Sequence, residues 1–548
     1  MTELSPEPTA ALANASAPEP AAVPSPQGMA EFSINPFLPP DEYVPDGEPR
    51  VFGDRVYLYG SRDVSGVKNG MCAGDYVCYS AALTALSDWR FDGVIYERKQ
   101  DPFARRMTEK GDRLGLKSHL FAPDVIEIDG RYYLYYGVAL ERSGFAVAVA
   151  DSPTGPFEYL GRVRYPEHEK PTGWTDDVDG VVDGDMAFGG GRPVLNGLRI
   201  RMKDYPYDPA LLVHEGRLFL YYGLGYCYVV ELDMGDKRTV VKNPATGDYA
   251  TEIFAGKRRH LLAGMVFGRG PASQFVNGPS IREIDGQFVL SYYAMGAGRF
   301  NGICHGVASS PSGPFTPLGP LVSLGNVGFD HRTGPTDRVG NTHGGMFLAD
   351  GTWYQIYHRH TTDGRQACAT PLTRTADGRF EHAEHTSLGF TAGALPAFRR
   401  WPAYMACYLT DGRGRGPSRS SGPNVAERAY LEGRDRHDGA NEAIVSVVTG
   451  LAESSVVGFK YFDFEGSNAL LKMTIEMNSE SEGYVEVRVD DPTRGRVVAD
   501  IHITPTDGRW SPFGSELNPI FGMHAIFLVF HPKGGSLGSL ASIEFASA

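Results

Sequence analysis

Short runs of aromatic and β-branched residues recur along the first 400 positions, and each run follows a turn in which glycine stands beside an acidic residue. The runs are VYLYGS after Gly53-Asp54, YYLYYG after Asp129-Gly130, LFLYYG after Glu215-Gly216, FVLSYY after Asp285-Gly286 and WYQIYH after Asp350-Gly351. Such runs are typical of β-strands. An acidic residue beside glycine tolerates the positive φ of a tight hairpin turn. The pattern therefore predicts five β-hairpins built on one plan.

A polar residue stands at the head of the segment upstream of each hairpin. The five heads lie 78, 84, 69 and 66 residues apart and are Asp46, Asp124, Asp208, Asn277 and His343. A second phrase also repeats, as DSPTGPFEYLG at 151–161 and SSPSGPFTPLG at 309–319. Each repeat is long enough for four strands, which make one blade of a β-propeller. The first strand of a blade lines the propeller axis, so we expect the heads to converge on a carboxylate-rich central pocket.

The whole chain is predicted to be all-β, with a five-bladed β-propeller followed by a β-sandwich of the jelly-roll type. Residues 1–28 are rich in Ala, Pro, Ser and Glu and predict a disordered tail, and the propeller is expected over 29–407. The Gly-, Ser- and Arg-rich stretch 408–427 is predicted to be a linker. Alternating runs such as ALLKMTIEMN and HAIFLVFHP predict the sandwich over 428–548.

Composition narrows the classes of partner. The net charge of −14 argues against nucleic acid and against a membrane surface. Six dispersed cysteines without CxxC spacing argue against a zinc site or a disulfide framework, and we expect them to be reduced core residues. No apolar stretch is long enough to span a bilayer, and no secretory signal is visible, so a cytoplasmic location is expected.

The repeats resemble glycoside hydrolase family 43, the inverting α-L-arabinofuranosidases, β-xylosidases and arabinanases. PDGEPRVFGDRVYLYGSRD resembles the first blade of that family, APDVIEIDGRYYLYY the second, YDPALLVHEGRLFLYYG the third and NTHGGMFLADGTWYQIYHRHT the fifth. The resemblance implies hydrolysis of a terminal pentose-like sugar, furanosidic or pyranosidic, from a small oligosaccharide or a glycan side chain.

The resemblance also implies roles for single residues. Asp46 matches the general base, and Asp124 matches the third carboxylate, which orients the sugar and raises the pKa of the acid. Asp208 is expected to support structure or substrate binding. Arg365 matches an arginine that reaches the sugar, and His343 matches a histidine that contacts a water or a bound calcium on the axis. Calcium is the single cofactor implied.

The chain departs from the family at the general acid, because Asn277 stands where relatives have glutamate. A carboxamide cannot supply the proton, and a missing general acid costs roughly 10²–10⁴ in rate. Another acid could act instead, namely Glu48, Glu252, Asp183 or Asp185. Alternatively, the substrate needs little protonation or the reaction is a transfer or rearrangement, or the pocket binds sugar without cleaving it.

The C-terminal unit resembles family 6 carbohydrate-binding modules in GFKYFDF, YVEVRVDDPTRGRVVADI and GMHAIFLVF. Trp510 is its candidate for stacking on a sugar ring. The alternative is that this unit only braces the propeller.

Overall fold

The computed structural model describes the chain in twelve stretches. These are residues 32–111, 118–139, 144–166, 194–195, 198–199, 206–244, 247–254, 274–296, 299–418, 421–429, 444–465 and 470–547. Within them the secondary structure is nearly all β, as the sequence predicted. No helix in these stretches is long and apolar enough to cross a membrane.

Five antiparallel sheets form the blades. Blade one holds β1 (Glu48–Phe52), β2 (Arg55–Tyr59), β3 (Tyr76–Ala82) and β4 (Arg90–Tyr96), and blade two holds β5 (Leu120–Ile128), β6 (Arg131–Val138), β7 (Ala146–Ala150) and β8 (Glu158–Arg162). A short hairpin, β9 (Val194–Leu195) and β10 (Leu198–Arg199), precedes blade three, which holds β11 (Ala210–His214), β12 (Arg217–Tyr222), β13 (Tyr228–Leu232), β14 (Val240–Val241) and β15 (Ala250–Glu252). Blade four holds β16 (Gln274–Ile284), β17 (Gln287–Met295), β18 (Asn301–Ala308) and β19 (Thr316–Ser323), and blade five holds three strands, β20 (Met346–Ala349), β21 (Thr352–His360) and β22 (Arg365–Leu372).

Helices are few and short in the described residues. The α-helix α1 (Pro102–Glu109) lies between blades one and two, capped by the Asp101 side chain. The 3₁₀ turns are Arg98–Gln100, Leu324–Asn326, Phe329–His331 and Ala403–Met405.

Apolar side chains between neighbouring blades close the propeller into a ring. Each of the five interfaces has its own buried cluster, which contains Tyr76 with Tyr136, Tyr135 with Leu220, Tyr221 with Phe315, Ile303 with Tyr357, and Leu58 with Ile356. The last pair joins blade five back to blade one. A closed ring leaves the inner strands facing a common axis, which is the arrangement that the five repeats predicted.

The N-terminal part of the described chain lies along the outer strand of blade five. The Asn35 side chain donates to the Ala369 carbonyl at 2.8 Å and accepts from the Ala369 N–H at 2.9 Å, and the Phe37 N–H donates to the Ala367 carbonyl at 3.2 Å. This segment therefore covers the edge that a three-stranded blade leaves open.

Two six-stranded sheets form the C-terminal sandwich. One contains β23 (Leu395–Pro396), β25 (Tyr408–Thr410), β28 (Val456–Asp463), β30 (Gly483–Val489), β31 (Val497–Ile503) and β33 (Met523–Pro532). The other contains β24 (Arg400–Pro402), β26 (Asn424–Ala429), β27 (Ile444–Thr449), β29 (Leu471–Asn478), β32 (Ser511–Leu517) and β34 (Ser539–Ser547). Alternate residues of β29, β31 and β33 fill the core between the sheets.

The linker predicted over 408–427 is wrong at both of its ends. Tyr408–Thr410 pairs with β28 and Asn424–Ala429 pairs with β27, so both belong to the sandwich. Even Trp401, which the sequence assigned to the end of the propeller, is fully buried in the sandwich core. The polar composition describes only the loop between these strands, and the apolar residues on either side of it are buried by sandwich strands far along the chain.

The sandwich and the propeller are joined by polar contacts as well. Lys460 Nζ lies 2.5 Å from Glu384 Oε1, and the Tyr461 hydroxyl donates to Glu384 Oε2 at 2.8 Å. The Leu409 N–H donates to the Thr336 carbonyl at 2.6 Å. These contacts fix the sandwich against blade five and the loops that precede it.

Candidate functional site

The polar heads of the blades do not all lie at one depth. The heads of blades one, three and five each lie six positions before the last residue of β1, β11 or β20; these heads are Asp46, Asp208 and His343. Asp124 lies only four residues before the end of β5, and Asn277 lies seven before the end of β16, where a bulge interrupts the pairing with β17. The first three therefore share one level at the mouth of the axis, and Asp124 lies deeper.

Asp46 lies at this mouth, and contacts to both its backbone and its side chain fix its position. Its backbone is left-handed, with φ of 60°, and the residue is only 6% exposed. Oδ2 accepts a hydrogen bond from Ser61 Oγ at 2.8 Å, and Arg365 Nη1 lies 3.2 and 3.3 Å from the two carboxylate oxygens. The Asp46 N–H donates to His358 Nδ1 at 3.1 Å. These contacts hold the carboxylate in one orientation.

Arg365 is the residue that connects Asp46 to a second carboxylate. Its Nε and Nη2 donate to the two oxygens of Asp63 at 2.9 and 2.8 Å, and its backbone N–H donates to Asp63 Oδ2 at 3.0 Å. Nη2 also lies 3.0 Å from Cys72 Sγ, whose pKa is raised by burial. Arg365 is only 4% exposed, so its guanidinium is already engaged by protein groups and orients Asp46.

Asp208 lies near Asp46 in a different environment. Its carboxylate accepts a hydrogen bond from the Gly278 backbone N–H, and Oδ2 lies 3.9 Å from His343 Nδ1. Burial raises the pKa of Asp208 well above its usual value, and the negative charge of Asp46 raises it further. The hydrogen bond from Gly278 and the charge of Arg365 lower the pKa of Asp208, but they offset this rise only in part. The pocket therefore contains one carboxylate bound by a guanidinium and one whose protonated form is favoured.

His343 packs directly on Gly278. Gly278 has φ of +63°, and a Cβ at this position would lie 2.7 Å from His343 Cγ, so only glycine permits the contact. The imidazole is hydrogen-bonded to the Pro279 carbonyl, and its Nδ1 has no hydrogen-bond partner within the described stretches. Burial lowers the pKa of His343, which favours the neutral ring. Asn277, the residue before Gly278, is half-buried at this same edge of the pocket.

Below the pocket, Asp124 and Arg50 form a buried ion pair. Arg50 Nε donates to Asp124 Oδ1 at 2.8 Å, Nη2 donates to the other oxygen, and the Leu211 N–H donates to Oδ2 at 2.7 Å. Asp124 is fully buried. These contacts join blades one, two and three, and the role of Asp124 as the third carboxylate stays a prediction.

Glu48 is also part of a buried ion pair with an arginine. Its Oε1 accepts from Arg282 Nη2 at 2.7 Å and from Ser280 Oγ at 3.0 Å, and Arg282 Nε donates to the Met346 carbonyl at 2.8 Å. Glu48 is 2% exposed. Two arginines and two carboxylates thus fill the axis with contacts from all five blades. The geometry does not favour Glu48 as a substitute acid, because its carboxylate is buried and already engaged by Arg282 and Ser280.

The remaining candidates lie elsewhere. Glu252 is the last residue of β15, at the outer side of blade three. It lines a cleft of about 620 Å³ together with His214, Arg217 and Phe288. This cleft lies at the end of β11 that is opposite to Asp208. Asp183 and Asp185 lie outside the described residues. Trp510 is half-buried and packs against Val447 and Ala541 of the sandwich.

The donor set at the axis does not fit calcium as a directly bound ion. Calcium takes six to eight oxygen ligands. Here His343 offers one nitrogen, 3.9 Å from the Asp208 carboxylate, and the oxygens of Asp46 are engaged by Arg365 and Ser61. No group of three or more His, Cys, Asp or Glu side chains in the described stretches could hold a metal. All six cysteines are buried and free, as the sequence predicted.

Two functional contacts were not predicted from the sequence. Asp63 and Ser61 follow β2 and contact Arg365 and Asp46, but serine and aspartate after a strand are also common in ordinary turns. The level of each head could have been found by counting back from the hairpin turns. This count places Ala122, and not Asp124, at the depth of Asp46.

The chain is similar over nearly its whole length to a xylosidase/arabinosidase of Thermoclostridium stercorarium. The two are 30% identical over 521 residues, which cover 93% of this chain and 98% of that protein. A xylosidase/arabinosidase of Bacteroides ovatus is 25% identical over 337 residues, covering 59% of this chain and 87% of that protein. No protein-family model matches the chain.

Solved structures with a likeness to this chain are also known. A glycoside hydrolase family 43 arabinoxylan arabinofuranohydrolase from Bacillus subtilis, in complex with cellotetraose, aligns with 94% of this chain and 97% of its own at 20% identity and a TM-score of 0.42. A family 43 β-xylosidase/α-arabinofuranosidase from a compost metagenome, with xylotriose and in a calcium-free form, aligns with 64% of this chain and 97% of its own at 20% identity and a TM-score of 0.43.

Proposed function

The chain belongs to glycoside hydrolase family 43, and from that premise we propose that its central pocket hydrolyses a terminal xylosyl or arabinofuranosyl residue of a small oligosaccharide or glycan side chain. The sugar class comes from the name of the relative that matches the chain over nearly its full length. The enzyme is a glycosidase. The observation that supports the chemistry is the pair of unlike carboxylates at the mouth of the axis.

Asp46 is proposed as the general base. Hydrolysis with inversion needs a carboxylate that accepts a proton from the attacking water. Arg365 and Ser61 hold the Asp46 carboxylate in one orientation at the pocket, and Asp63 holds Arg365 in turn. The negative charge of this group also suits the positive charge that develops on the sugar ring in the transition state.

Asp208 is proposed as the proton donor in place of the glutamate that Asn277 replaces. A carboxyl group whose environment raises its pKa is the usual proton donor where a second carboxylate serves as the base. Asp208 is buried and accepts a hydrogen bond from Gly278, the residue next to Asn277, so its carboxyl lies beside the position of the missing acid. Its raised pKa keeps the proton available at higher pH than for an ordinary aspartate.

The proposed reaction then balances in one displacement. Water attacks the anomeric carbon and gives a proton to Asp46, the bond from that carbon to the leaving oxygen breaks, and the proton of Asp208 moves to that oxygen. The products are the free pentose and an alcohol. Exchange with solvent removes the proton from Asp46 and restores the one on Asp208. Asn277 can donate a hydrogen bond to the substrate but cannot transfer a proton.

Replacement of Asp46 tests the proposed function. Asp46→Asn is expected to lower kcat by at least about 10³ on both aryl and natural pentosides, because water activation is needed whatever the leaving group. Binding of xylose or arabinose, measured by calorimetry, is expected to persist.

The matched control is Asp151→Asn, the same chemical change at an exposed carboxylate that pairs with Arg131 on the surface of blade two. It should leave kcat unchanged. An Asp46→Asn enzyme that keeps turnover within tenfold of the parent enzyme would show that another group is the base.

A further inference from the structure

One strand of the sandwich touches the three chain segments that hold Asp46 in place. Glu427 lies on β26, and its Oε1 accepts a hydrogen bond from the Tyr43 hydroxyl at 2.8 Å. Tyr43 is three residues before Asp46 and is only 3% exposed. The Asp63 N–H donates to the Tyr43 carbonyl at 2.9 Å, so the same residue also positions the partner of Arg365.

The other contacts of β26 reach the second and third segments. Glu427 Oε2 accepts from Ser65 Oγ at 3.2 Å, two residues after Asp63. The Glu427 N–H donates to Asp363 Oδ2 at 2.8 Å, two residues before Arg365, and the neighbouring Val425 carbonyl accepts from the Thr362 N–H at 2.9 Å. Gly364 lies between these contacts and packs so closely on the Tyr43 ring that a Cβ there would lie 2.5 Å from it.

We infer that Glu427, a residue of the sandwich, is a positioning residue for the Asp46 carboxylate of the propeller. It links the segments that carry Asp46, Asp63 and Arg365, so the orientation of the base depends on a side chain from the other domain. This inference rests on the proposed function only in that Asp46 is the base. The sandwich thus has a role in turnover that needs no sugar bound to the sandwich itself.

The test is steady-state kinetics of Glu427→Ala and Glu427→Gln in the full chain. Because displacement of a catalytic group by about 1 Å can cost 10²-fold in rate, Glu427→Ala is expected to lower kcat roughly 10- to 100-fold with little change in KM. Glu427→Gln keeps an oxygen that can accept from Tyr43 and should recover much of the loss. Losses from Tyr43→Phe and Glu427→Ala should be less than additive, because both remove the same hydrogen bond.

Tyr461→Phe is the matched control, since it removes a hydrogen bond of 2.8 Å between the same two domains at Glu384, away from the segments that hold Asp46. Tyr461→Phe should lower Tm about as much as Glu427→Ala does and should leave kcat unchanged. The inference is wrong if Glu427→Ala has the kcat of Tyr461→Phe, or if its rate loss is accompanied by an equal rise in KM. A failure of the proposed function is seen separately, as turnover retained by Asp46→Asn.

Discussion

Removal of the Asp124 carboxylate separates a structural role from a catalytic one. In Asp124→Ala, Arg50 keeps its charge but loses both of its hydrogen bonds to the carboxylate, and the Leu211 N–H loses its acceptor. The side chain of Arg50 is 13% exposed and that of Asp124 is fully buried, so water can replace little of what is lost.

The expected magnitude follows from this burial. Breaking a buried ion pair by removing one partner costs about 3–5 kcal/mol. For domains of 150–250 residues, each kcal/mol lowers Tm by about 2–4 °C, so a fall of roughly 6–20 °C is expected. A double variant, Asp124→Leu with Arg50→Met, should regain most of the stability, because it removes both charges and leaves an apolar pair.

Thermal unfolding and steady-state kinetics of the two variants, at a temperature where both are folded, measure the effect. We expect kcat of folded Asp124→Ala to stay within about tenfold of the parent enzyme. A kcat lowered 10³-fold with an unchanged Tm would refute this reasoning and return Asp124 to the catalytic group that the family resemblance implied.

Further predictions concern the pocket itself. Because the proposed acid must be protonated, activity should fall as pH rises through the raised pKa of Asp208, and Asp208→Asn should remove this basic limb from the pH profile of kcat/KM. Since the folded-state pKa of Asp208 lies above its unfolded value, its contribution to stability is greatest below the unfolded pKa and is lost as pH rises through the folded-state pKa. The Tm of Asp208→Asn relative to that of the parent enzyme should therefore increase as pH rises above the unfolded pKa. Gly278→Ala places a Cβ against His343 at a left-handed φ, and we expect kcat/KM to fall more than tenfold while far-ultraviolet circular dichroism still shows a folded chain.

The architecture could be predicted from the sequence because it repeats. Five hairpin turns with glycine beside an acidic residue carry enough local information to fix five blades, and the alternating runs near the C-terminus fix a sandwich. The boundary between the domains could not be predicted, because β23 and β24 are assigned to the sandwich by their pairing with β28 and β34, which lie far along the chain.

The site could be predicted only in part. The position of Asp46 follows from its blade. A polar residue near the start of an inner strand faces either the pocket or the filled axis below the pocket. A difference of two residues along the strand decides between these two positions. Asp124 and Asp208 therefore lie in different environments, which their equivalent places in the repeats did not predict. Their environments depend on Arg50 from blade one and Gly278 from blade four, contacts that no local pattern shows.

The proposal that Asp208 supplies the proton is tested most directly by the dependence of rate on the leaving group. The measurement is kcat/KM of the parent enzyme and of Asp208→Asn on an unactivated xylo- or arabino-disaccharide and on the matching 2,4-dinitrophenyl glycoside, whose leaving group needs no proton. If Asp208 is the acid, the variant should lose about 10²–10⁴ on the disaccharide and less than tenfold on the aryl glycoside. An equal loss on both substrates, or no loss on the disaccharide, would contradict it.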